Sequence, residues 1–461
     1  MRRLKALVFI ESDVVIRHFL NSGALIPLAE RHDVTLVLPP AGYQRLLSPM
    51  PQDMWGLVCS RIALPEERRR LWRRLFFIDQ MRWRPGSDWA NVRRGWQAMI
   101  GRKATLQFAA YALPGIRTVM SHLLRRRLDR HPPQELDAIL ADTAPDIVIH
   151  PSTFDGYFIN DIIEAAAGRS IPSLLLMNSW DNPSLKHAAL STADAVVVWG
   201  EQTARHAVRF MGMARERVHI LGAAQFDLFR GPPKTGRTDV CRDQGIAPSQ
   251  RIVMYAGSSK GNRESLHLKQ LSEHFLATGQ NDITILYRPH PYGLPREEAY
   301  NILNENLPNV VVEHSMRSML ENTAQGKAAG FHITPYDHTH SLLSAMDALI
   351  SPLSTILVEA AMHGKPVMCF IPWEDDQHSV WRTLRDLVYF REFYECPALV
   401  LARSYSEFLS KVDDLLSRIG DEHLAAELQT AMRHFVEFPE KHYGEGLADL
   451  AEELCSQSTA R

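Results

Sequence analysis

The alternation of short apolar segments with helix-like segments is the feature that most constrains the fold of this chain. Residues 4–10 and 34–38 are apolar, and residues 14–31 between them have the spacing of an amphipathic helix. This strand–helix–strand order predicts parallel strands, because parallel neighbours need a crossover connection. The same order returns along most of the 461 residues, so the chain is predicted to be an α/β protein.

The later strands divide into two series. They are predicted at residues 146–150, 173–177, 195–199, 218–221, 252–256, 283–287, 310–312, 348–350 and 367–370. Residues 229–250 concentrate Gly, Pro and charged residues, which is typical of a linker. We therefore predict a Rossmann-like domain over residues 1–230 and a second over residues 231–440. A C-terminal helix over residues 441–461 can pack back on the first domain.

Composition excludes several classes of protein. With 45% hydrophobic and 23% charged residues, the chain is not mainly disordered. Its five cysteines have no CxxC spacing, which argues against a disulfide framework and a zinc ribbon. The first apolar run is too short for a signal peptide, and no run is long enough to span a membrane. A cytoplasmic protein is expected.

Residues 61–130 carry a local charge of +12 in a chain of net charge −2. Apolar residues recur there at helical spacing, which predicts an Arg-rich helical insertion in the first domain. A solvated helix face and an anionic membrane surface are equally favoured interpretations, and an acceptor-binding surface is a third. Nucleic acid is not expected, because no nucleic-acid-binding motif is present. The membrane interpretation depends on aromatic residues among the arginines: Trp72, Trp83, Trp89, Trp96 and Phe76.

Candidate binding residues lie on loops after strands, where open α/β folds bind ligands. In the second domain, Gly257 precedes three phosphate donors, Ser258, Ser259 and Lys260. The segment 288–291 (RPHP) displays Arg288 and His290 on a backbone that two prolines hold extended.

A third loop, 351–355 (SPLST), is the strongest candidate for a phosphate site. Ser351 ends the strand, Ser354 and Thr355 begin a helix that ends at Gly364, and Ser354 is predicted to be the N-cap. Glu359, one turn further on, could accept ribose hydroxyls. The structural alternative is that Ser354 only caps its helix.

The first domain supplies the candidates for acceptor binding and catalysis. Trp180, Asp181, Asn182 and Lys186 share one loop after a strand, with Asp181 as a base and Lys186 as an anion partner. The alternative is an Asx-turn before Pro183.

Two weaker candidates for the base are Asp155, before Gly156, and Asp13, after the first strand. Their structural alternatives are a turn for Asp155 and a helix cap for Asp13. In the second domain, Asp337, His338 and His340 are expected to cap a helix over residues 341–347.

Several of these segments together resemble the CDP-glycerol glycerophosphotransferases of teichoic acid synthesis. WDNPSLK (180–186) resembles their WHGTPLK-type loop, RPHP their RxHP motif, and SPLST with GKPV (364–367) their TDYSS…KPI stretch, in the same order. The HP and Ser-Ser/Thr pairs also resemble those of bacterial sialyltransferases of GT-B architecture, and the segment 154–156 is loosely similar to their acidic-Gly motif.

The resemblance spans about residues 140–375. It implies a GT-B fold with two Rossmann-like domains facing a cleft, a cytidine-nucleotide donor, no metal or cofactor, and synthesis of a cell-surface polymer. Carried over by position, His290, Ser354 and Thr355 grip the donor phosphate and Asp181 takes the position of the base. The family has His and Gly where this chain has Asp181 and Asn182, and Asp where it has Pro352. These differences favour a sugar transferase and leave the donor open.

The predicted function is transfer of a group from a CMP- or CDP-type donor to a surface-glycan or lipid-linked acceptor. A UDP-sugar 2-epimerase is one alternative, although the His-Glu-x-Gly-Leu-Arg type segment of those enzymes is absent here. A catalytically silent GT-B module that binds a glycan or a partner is the other.

Overall fold

The computed structural model describes residues 2–46, 57–80, 103–153, 156–186, 188–258, 263–291, 293–327, 334–372, 387–396 and 398–459. The chain divides into two compact units, and each contains one parallel sheet. Met1–Asp227 and His434–Arg461 form the first unit, and Leu228–Arg433 forms the second.

The strands of the first unit are β1 Lys5–Phe9, β2 Asp33–Leu38, β3 Val58–Arg61, β4 Ile147–His150, β5 Ser173–Leu176, β6 Ala195–Val198 and β7 Val218–Ile220. Those of the second are β8 Arg251–Ala256, β9 Ile283–Arg288, β10 Val310–Val312, β11 Ala348–Ser351, β12 Val367–Phe370 and β13 Val400–Ala402. The spatial orders of the described strands are β3-β2-β1-β4-β5-β6-β7 and β10-β9-β8-β11-β12-β13. In both sheets the first strand of the unit lies inside the sheet, as in Rossmann-like domains.

The α-helices of the first unit up to β7 are α1 Asp13–Val15, α2 Ile26–Arg31, α3 Glu66–Gln80, α4 Lys103–Ala112, α5 Pro114–Leu128, α6 Gln134–Thr143, α7 Ile159–Ala167 and α8 Glu201–His206. Those of the second unit are α9 Arg237–Gln244, α10 Glu264–Ala277, α11 Arg296–Asn304, α12 His314–Ala324, α13 Tyr336–Ala345, α14 Ile356–Met362, α15 Val388–Tyr394, α16 Tyr405–Ser417 and α17 Glu422–Met432. The chain then returns to the first unit with α18 Tyr443–Thr459. Short π-helices occur at Ile16–Leu20, Asn182–Lys186 and Ala207–Met211, and 3₁₀-helices at Arg215–Arg217 and Ala224–Arg230.

The C-terminal helix completes the core of the first unit. Tyr443 and Leu447 of α18 pack in one cluster with Leu25, Leu28 and residues of β1, β2, β4, β5 and β6. The returning segment runs close to Gly222, whose φ is +85° and where a β-carbon would lie 2.4 Å from the carbonyl oxygen of Glu437. Glycine at this position therefore lets the returning segment pack closely.

Two local expectations are wrong, and two strands were missed. The helix over residues 14–31 is broken, because the chain turns at Gly23 with φ +75° before α2 begins. The segment 229–250 is not a continuous linker, since it contains α9 and the end of a 3₁₀-helix. Strands β3 and β13 were not predicted, and β3 is an exposed edge strand.

Candidate functional site

The carboxyl end of the second sheet gathers the predicted donor residues. From β8 the chain continues to β9 on one side, whereas β11 lies on the other side of β8, so the strand order reverses between β8 and β11. Open α/β sheets bind ligands at this point. The predicted residues that lie at this edge are Ser258 after β8, Arg288 and His290 at β9, and Ser351, Ser354 and Thr355 at β11.

Three of these residues remain accessible to a ligand. His290, Ser354 and Thr355 are half-buried, with part of each residue open to solvent. The prediction that Ser354 is the N-cap is wrong, because α14 begins at Ile356 and Thr355 holds the cap position. Thr355 makes no side-chain capping bond, and its backbone oxygen accepts a hydrogen bond from the N–H of Glu359 at 3.1 Å. Helix capping therefore does not account for the hydroxyl groups of Ser354 and Thr355.

Two predicted donors instead hold the strand ends in place. Ser351 is fully buried, and its hydroxyl donates to the carbonyl of Ala256 at 2.8 Å, which links β11 to β8. The backbone N–H of Ser258 donates to Oε1 of Glu264 at 3.1 Å, and the hydroxyl of Tyr287 donates to Oε2 at 2.6 Å. These groups fix the shape of the loops.

Arg288 lies beneath the accessible residues. Its side chain is buried, and one guanidinium nitrogen donates to the hydroxyl of Thr339 at 3.0 Å. Burial opposes the ionisation of the nearby Glu313, but the hydrogen bond from His338 and the charge of Arg288 lower the pKa of this carboxyl group to about 2. Arg288 and Glu313 are therefore a buried cation and anion behind the loop that carries His290.

The expected cap formed by Asp337, His338 and His340 is wrong. Helix α13 begins at Tyr336, so these residues lie inside the helix, and its N-cap is Pro335. His338 lies in this helix and contacts Glu313, with its Nε2 2.9 Å from the carboxylate. His340 faces His363, which caps the C-terminus of α14, and their nearest nitrogens are 2.8 Å apart.

Glu359 is the last predicted donor residue. It lies in α14 and is 8% exposed, and its backbone oxygen is 2.7 Å from Nδ1 of His363. Burial lowers the pKa of His363 to about 4.

The first sheet has a matching edge, where the strand order reverses between β1 and β4. Asp13 lies just after β1, and Trp180, Asp181 and Asn182 lie after β5, which neighbours β4. All four are buried, with Asp13 8% and Asp181 6% exposed. The amide of Asn182 donates to Oδ1 of Asp181 at 3.2 Å. Asp13 is not the helix cap, because Ser12 accepts the capping bond from Val15.

Sequence reasoning missed two buried residues at this edge. Glu11 follows β1 and His150 ends β4, and Nε2 of His150 lies 3.2 Å from Oε2 of Glu11. The carboxylate also accepts the backbone N–H groups of Tyr157 at 2.7 Å and Phe158 at 3.1 Å. Burial opposes ionisation, but His150 and these N–H groups lower the pKa of Glu11. The available signal was a titratable residue at the end of each of two apolar runs that form neighbouring strands.

Several predicted residues lie outside the described part of the chain. They are Asp155, Ser259 and Lys260, the side chain of Lys186, and Trp83, Trp89 and Trp96 of the basic region.

The described part of the basic region does not have the predicted aromatic surface. Trp72 and Phe76 of α3 are buried, and Trp72 packs with apolar residues of α5. Helix α5 instead exposes Ile116, Val119 and Leu123 at 43%, 58% and 47%. Among the described helices, none is both long and apolar enough to cross a bilayer.

Comparisons with known proteins identify a fold and not a family. No protein-family model matches the sequence, and no curated protein matches it either. Solved structures do match over nearly the whole chain. A Listeria monocytogenes protein assigned as a UDP-N-acetylglucosamine 2-epimerase has a TM-score of 0.56 at 11% identity, covering 99% of this chain and 98% of that one.

Two further structures are similar. MnaA of S. aureus, solved with UDP, has a TM-score of 0.55 at 12% identity over 98% of this chain and 97% of its own. The wall teichoic acid polymerase TagF has a TM-score of 0.51 at 9% identity over 99% of this chain and 90% of its own. Together with the two Rossmann-like sheets, these similarities confirm that the chain has the GT-B fold.

Proposed function

We propose that this protein is a transferase that moves a group from a nucleotide-activated donor, of the CMP or CDP type, to a surface-glycan or lipid-linked acceptor. The observation that carries the proposal is the placement of His290, Ser354 and Thr355. These half-buried residues lie after β9 and β11, beside the point where the second sheet reverses its strand order. Hydroxyl and imidazole N–H groups are suitable donors to phosphate oxygens.

The second unit would bind the donor and stabilise its departing nucleotide. His290 and the two hydroxyls would contact the phosphate, and Arg288 is proposed as a further contact at the same strand end. Ser259 and Lys260 are proposed as further phosphate donors, and Glu359 as a ribose contact. We propose that the reaction needs no metal ion and no cofactor, since these groups can balance the charge that develops.

The first unit would activate the acceptor, with Asp181 as the base. The acceptor hydroxyl oxygen forms a bond to the anomeric carbon of a sugar donor, or to phosphorus of a polyol-phosphate donor. The bond from that atom to the nucleotide's phosphate oxygen breaks, and this oxygen keeps the electron pair. Asp181 takes the proton of the hydroxyl. Asp155 and Asp13 are the other candidates for the base, and Trp180, Asn182 and Lys186 are proposed as acceptor contacts.

A UDP-sugar 2-epimerase is the second candidate, because two similar structures carry that name or contain UDP. Incubation with radiolabelled CMP-, CDP- and UDP-activated donors separates the candidates. The proposal predicts label in an acceptor product. Free epimerised sugar would identify the epimerase, and neither product from any donor would identify a silent binding module.

We also propose that helix α5 contacts an anionic membrane surface at the inner face of the plasma membrane. Ile116, Val119 and Leu123 form an exposed apolar stripe at helical spacing, and Arg126 and Arg127 follow at the end of the same helix. Apolar side chains beside basic ones suit the interface of an anionic bilayer. With α5 at the membrane surface, the protein could reach an acceptor that is linked to a lipid.

A further inference from the structure

The first unit contains a pocket that is not lined by any of the predicted site residues. It is a small, partly open pocket between α3 and the connection from β4 to α7. The lining residues that matter here are Arg69 of α3, Gly156, Tyr157 and Asn160 of the connection and α7, and Ala188.

One wall of the pocket is fixed by hydrogen bonds and lies at the carboxyl edge of the sheet. The amide of Asn160 donates to the carbonyl of Ala188 at 3.0 Å, and its oxygen accepts from the N–H of Leu190 at 2.9 Å. Gly156 packs directly on the carboxylate of Glu11, which follows β1. The pocket is therefore preformed beside the edge at which the candidate bases lie.

The carboxylate of Asp161 also lines the pocket, but its charge is balanced from within the protein. The buried guanidinium of Arg68 forms an ion pair with it, and the indole N–H of Trp72 donates to it at 3.0 Å. Arg68 is held further by the carbonyls of Leu128 and His131, each at 3.1 Å. Arg68 and Asp161 thus contribute no net charge to the pocket.

Arg69 does contribute a net positive charge. Its guanidinium lies 4.7 Å from the ring centre of Tyr157 and 5.9 Å from that of Tyr43. Its buried Nε has no hydrogen-bond partner among the residues that the structure describes. Across the described ranges, no Asp or Glu forms an ion pair with Arg69. A half-buried cation without an anionic partner has unused binding capacity for an anion.

We infer that this pocket binds an anionic group of the acceptor, a phosphate or a carboxylate, through Arg69. A guanidinium presents a planar fork of N–H donors that matches the oxygens of both groups. The identification of the ligand as the acceptor rests on the proposed function, whereas the binding of an anion does not. A phosphate could come from a soluble phosphorylated acceptor or from a lipid headgroup, and the shared chemistry is the same.

Calorimetric titration of the full chain with glycerol 3-phosphate tests the inference. Arg69→Gln keeps much of the side-chain volume and removes the charge, and should raise Kd at least tenfold. Arg74→Gln is the matched control, because Arg74 is an exposed residue of the same helix and does not line the pocket. The control should change Kd by less than twofold. Thermal unfolding of each variant checks that the fold is retained, and Arg69→Lys should bind with intermediate affinity.

The inference would be overturned by no binding to the wild type, by equal affinity in Arg69→Gln, or by equal losses in Arg69→Gln and Arg74→Gln. Vesicles of phosphatidylglycerol form a separate arm of the test. Vesicle binding that depends on Arg69, and that glycerol 3-phosphate displaces, would identify the headgroup as the source of the phosphate. Binding of glycerol 3-phosphate that persists in His290→Ala would support this pocket even if the proposed transfer failed. Loss of that binding in His290→Ala would assign the anion to the second unit and overturn the inference.

Discussion

A β-carbon on Gly156 would lie 1.7 Å from Oε1 of Glu11, so no side chain fits between the two residues. The same carboxylate accepts the backbone N–H groups of Tyr157 and Phe158. The end of β1 is therefore tied to the chain that leaves β4, and this tie shapes the edge of the first sheet.

Gly156→Ala should lower the free energy of unfolding by about 1–3 kcal/mol, because Glu11 must leave its hydrogen bonds or the backbone must shift. Urea denaturation measures the change. Gly115→Ala is the control, since no atom of the described residues lies within 4 Å of a β-carbon placed at this position of α5. A loss in the control as large as that in Gly156→Ala would contradict the assignment.

Stability should fall as the pH decreases below about 6.5. Burial lowers the pKa of His18 and His267 to about 3 and that of His363 to about 4 in the folded protein. The unfolded chain therefore binds more protons between pH 6.5 and those values, and acid favours unfolding. The contribution of the histidines is complete above pH 6.5 and is lost as the pH approaches 3–4.

Urea denaturation at pH 7.5 and pH 5.0 tests this expectation. The free energy of unfolding should be lower at pH 5.0 by at least about 2 kcal/mol, the effect of one histidine over 1.5 pH units. Glu313, with a pKa of about 2, remains ionised in the folded state across this window. His267→Phe should weaken the pH dependence. Equal or greater stability of the wild type at pH 5.0 would show that these histidines are not held neutral.

Asp181→Asn should lower kcat by about 10²–10⁴-fold, because it keeps the shape of the side chain and removes its basicity. Initial rates of transfer at saturating donor measure the effect. Asp13→Asn is the matched control, since Asp13 is similarly buried at the same edge of the sheet. Normal turnover in Asp181→Asn, with a loss in Asp13→Asn or Asp155→Asn, would move the role of the base to the residue whose substitution inactivates the enzyme.

The protein should co-sediment with vesicles that contain phosphatidylglycerol and should be released by salt. Each basic residue near such a surface contributes about 1 kcal/mol, screened beyond a Debye length. Changing Val119 and Leu123 to Ser, or Arg126 and Arg127 to Gln, should reduce the bound fraction. Leu276→Ser is the control, because Leu276 is 45% exposed on α10 of the other unit.

Binding that is equal with neutral vesicles would contradict this proposal. So would binding that is unchanged in both sets of α5 variants.

Much of the fold was predictable because parallel strands buried on both faces appear as continuous apolar runs. Strand β4 is buried along its whole length and was predicted to within one residue. Edge strand β3 was missed, because three of its four residues are exposed and carry no such pattern. The break near Gly23 was missed for another reason: a single positive φ interrupts a helix without altering the spacing of its apolar residues.

The candidate site was predictable only in part. The rule that ligands bind after parallel strands selected the loops that carry His290, Ser354 and Thr355. It could not show that the hydroxyl of Ser351 turns inward to Ala256. Nor could it show the contact between Glu11 and His150, because residues far apart in the chain meet only once β1 and β4 are paired.

The most direct test of the account is calorimetric titration of CMP, CDP and UDP into the wild type, His290→Ala, and the double variant Ser354→Ala with Thr355→Val. A hydrogen bond to a charged group contributes about 1.5–3 kcal/mol, so the account predicts at least tenfold weaker binding in each variant. Ser410→Ala, at an exposed serine of α16, should bind like the wild type. Unchanged affinity in folded His290→Ala and double-variant proteins, or a nucleotide bound wholly to the first unit, would contradict the account.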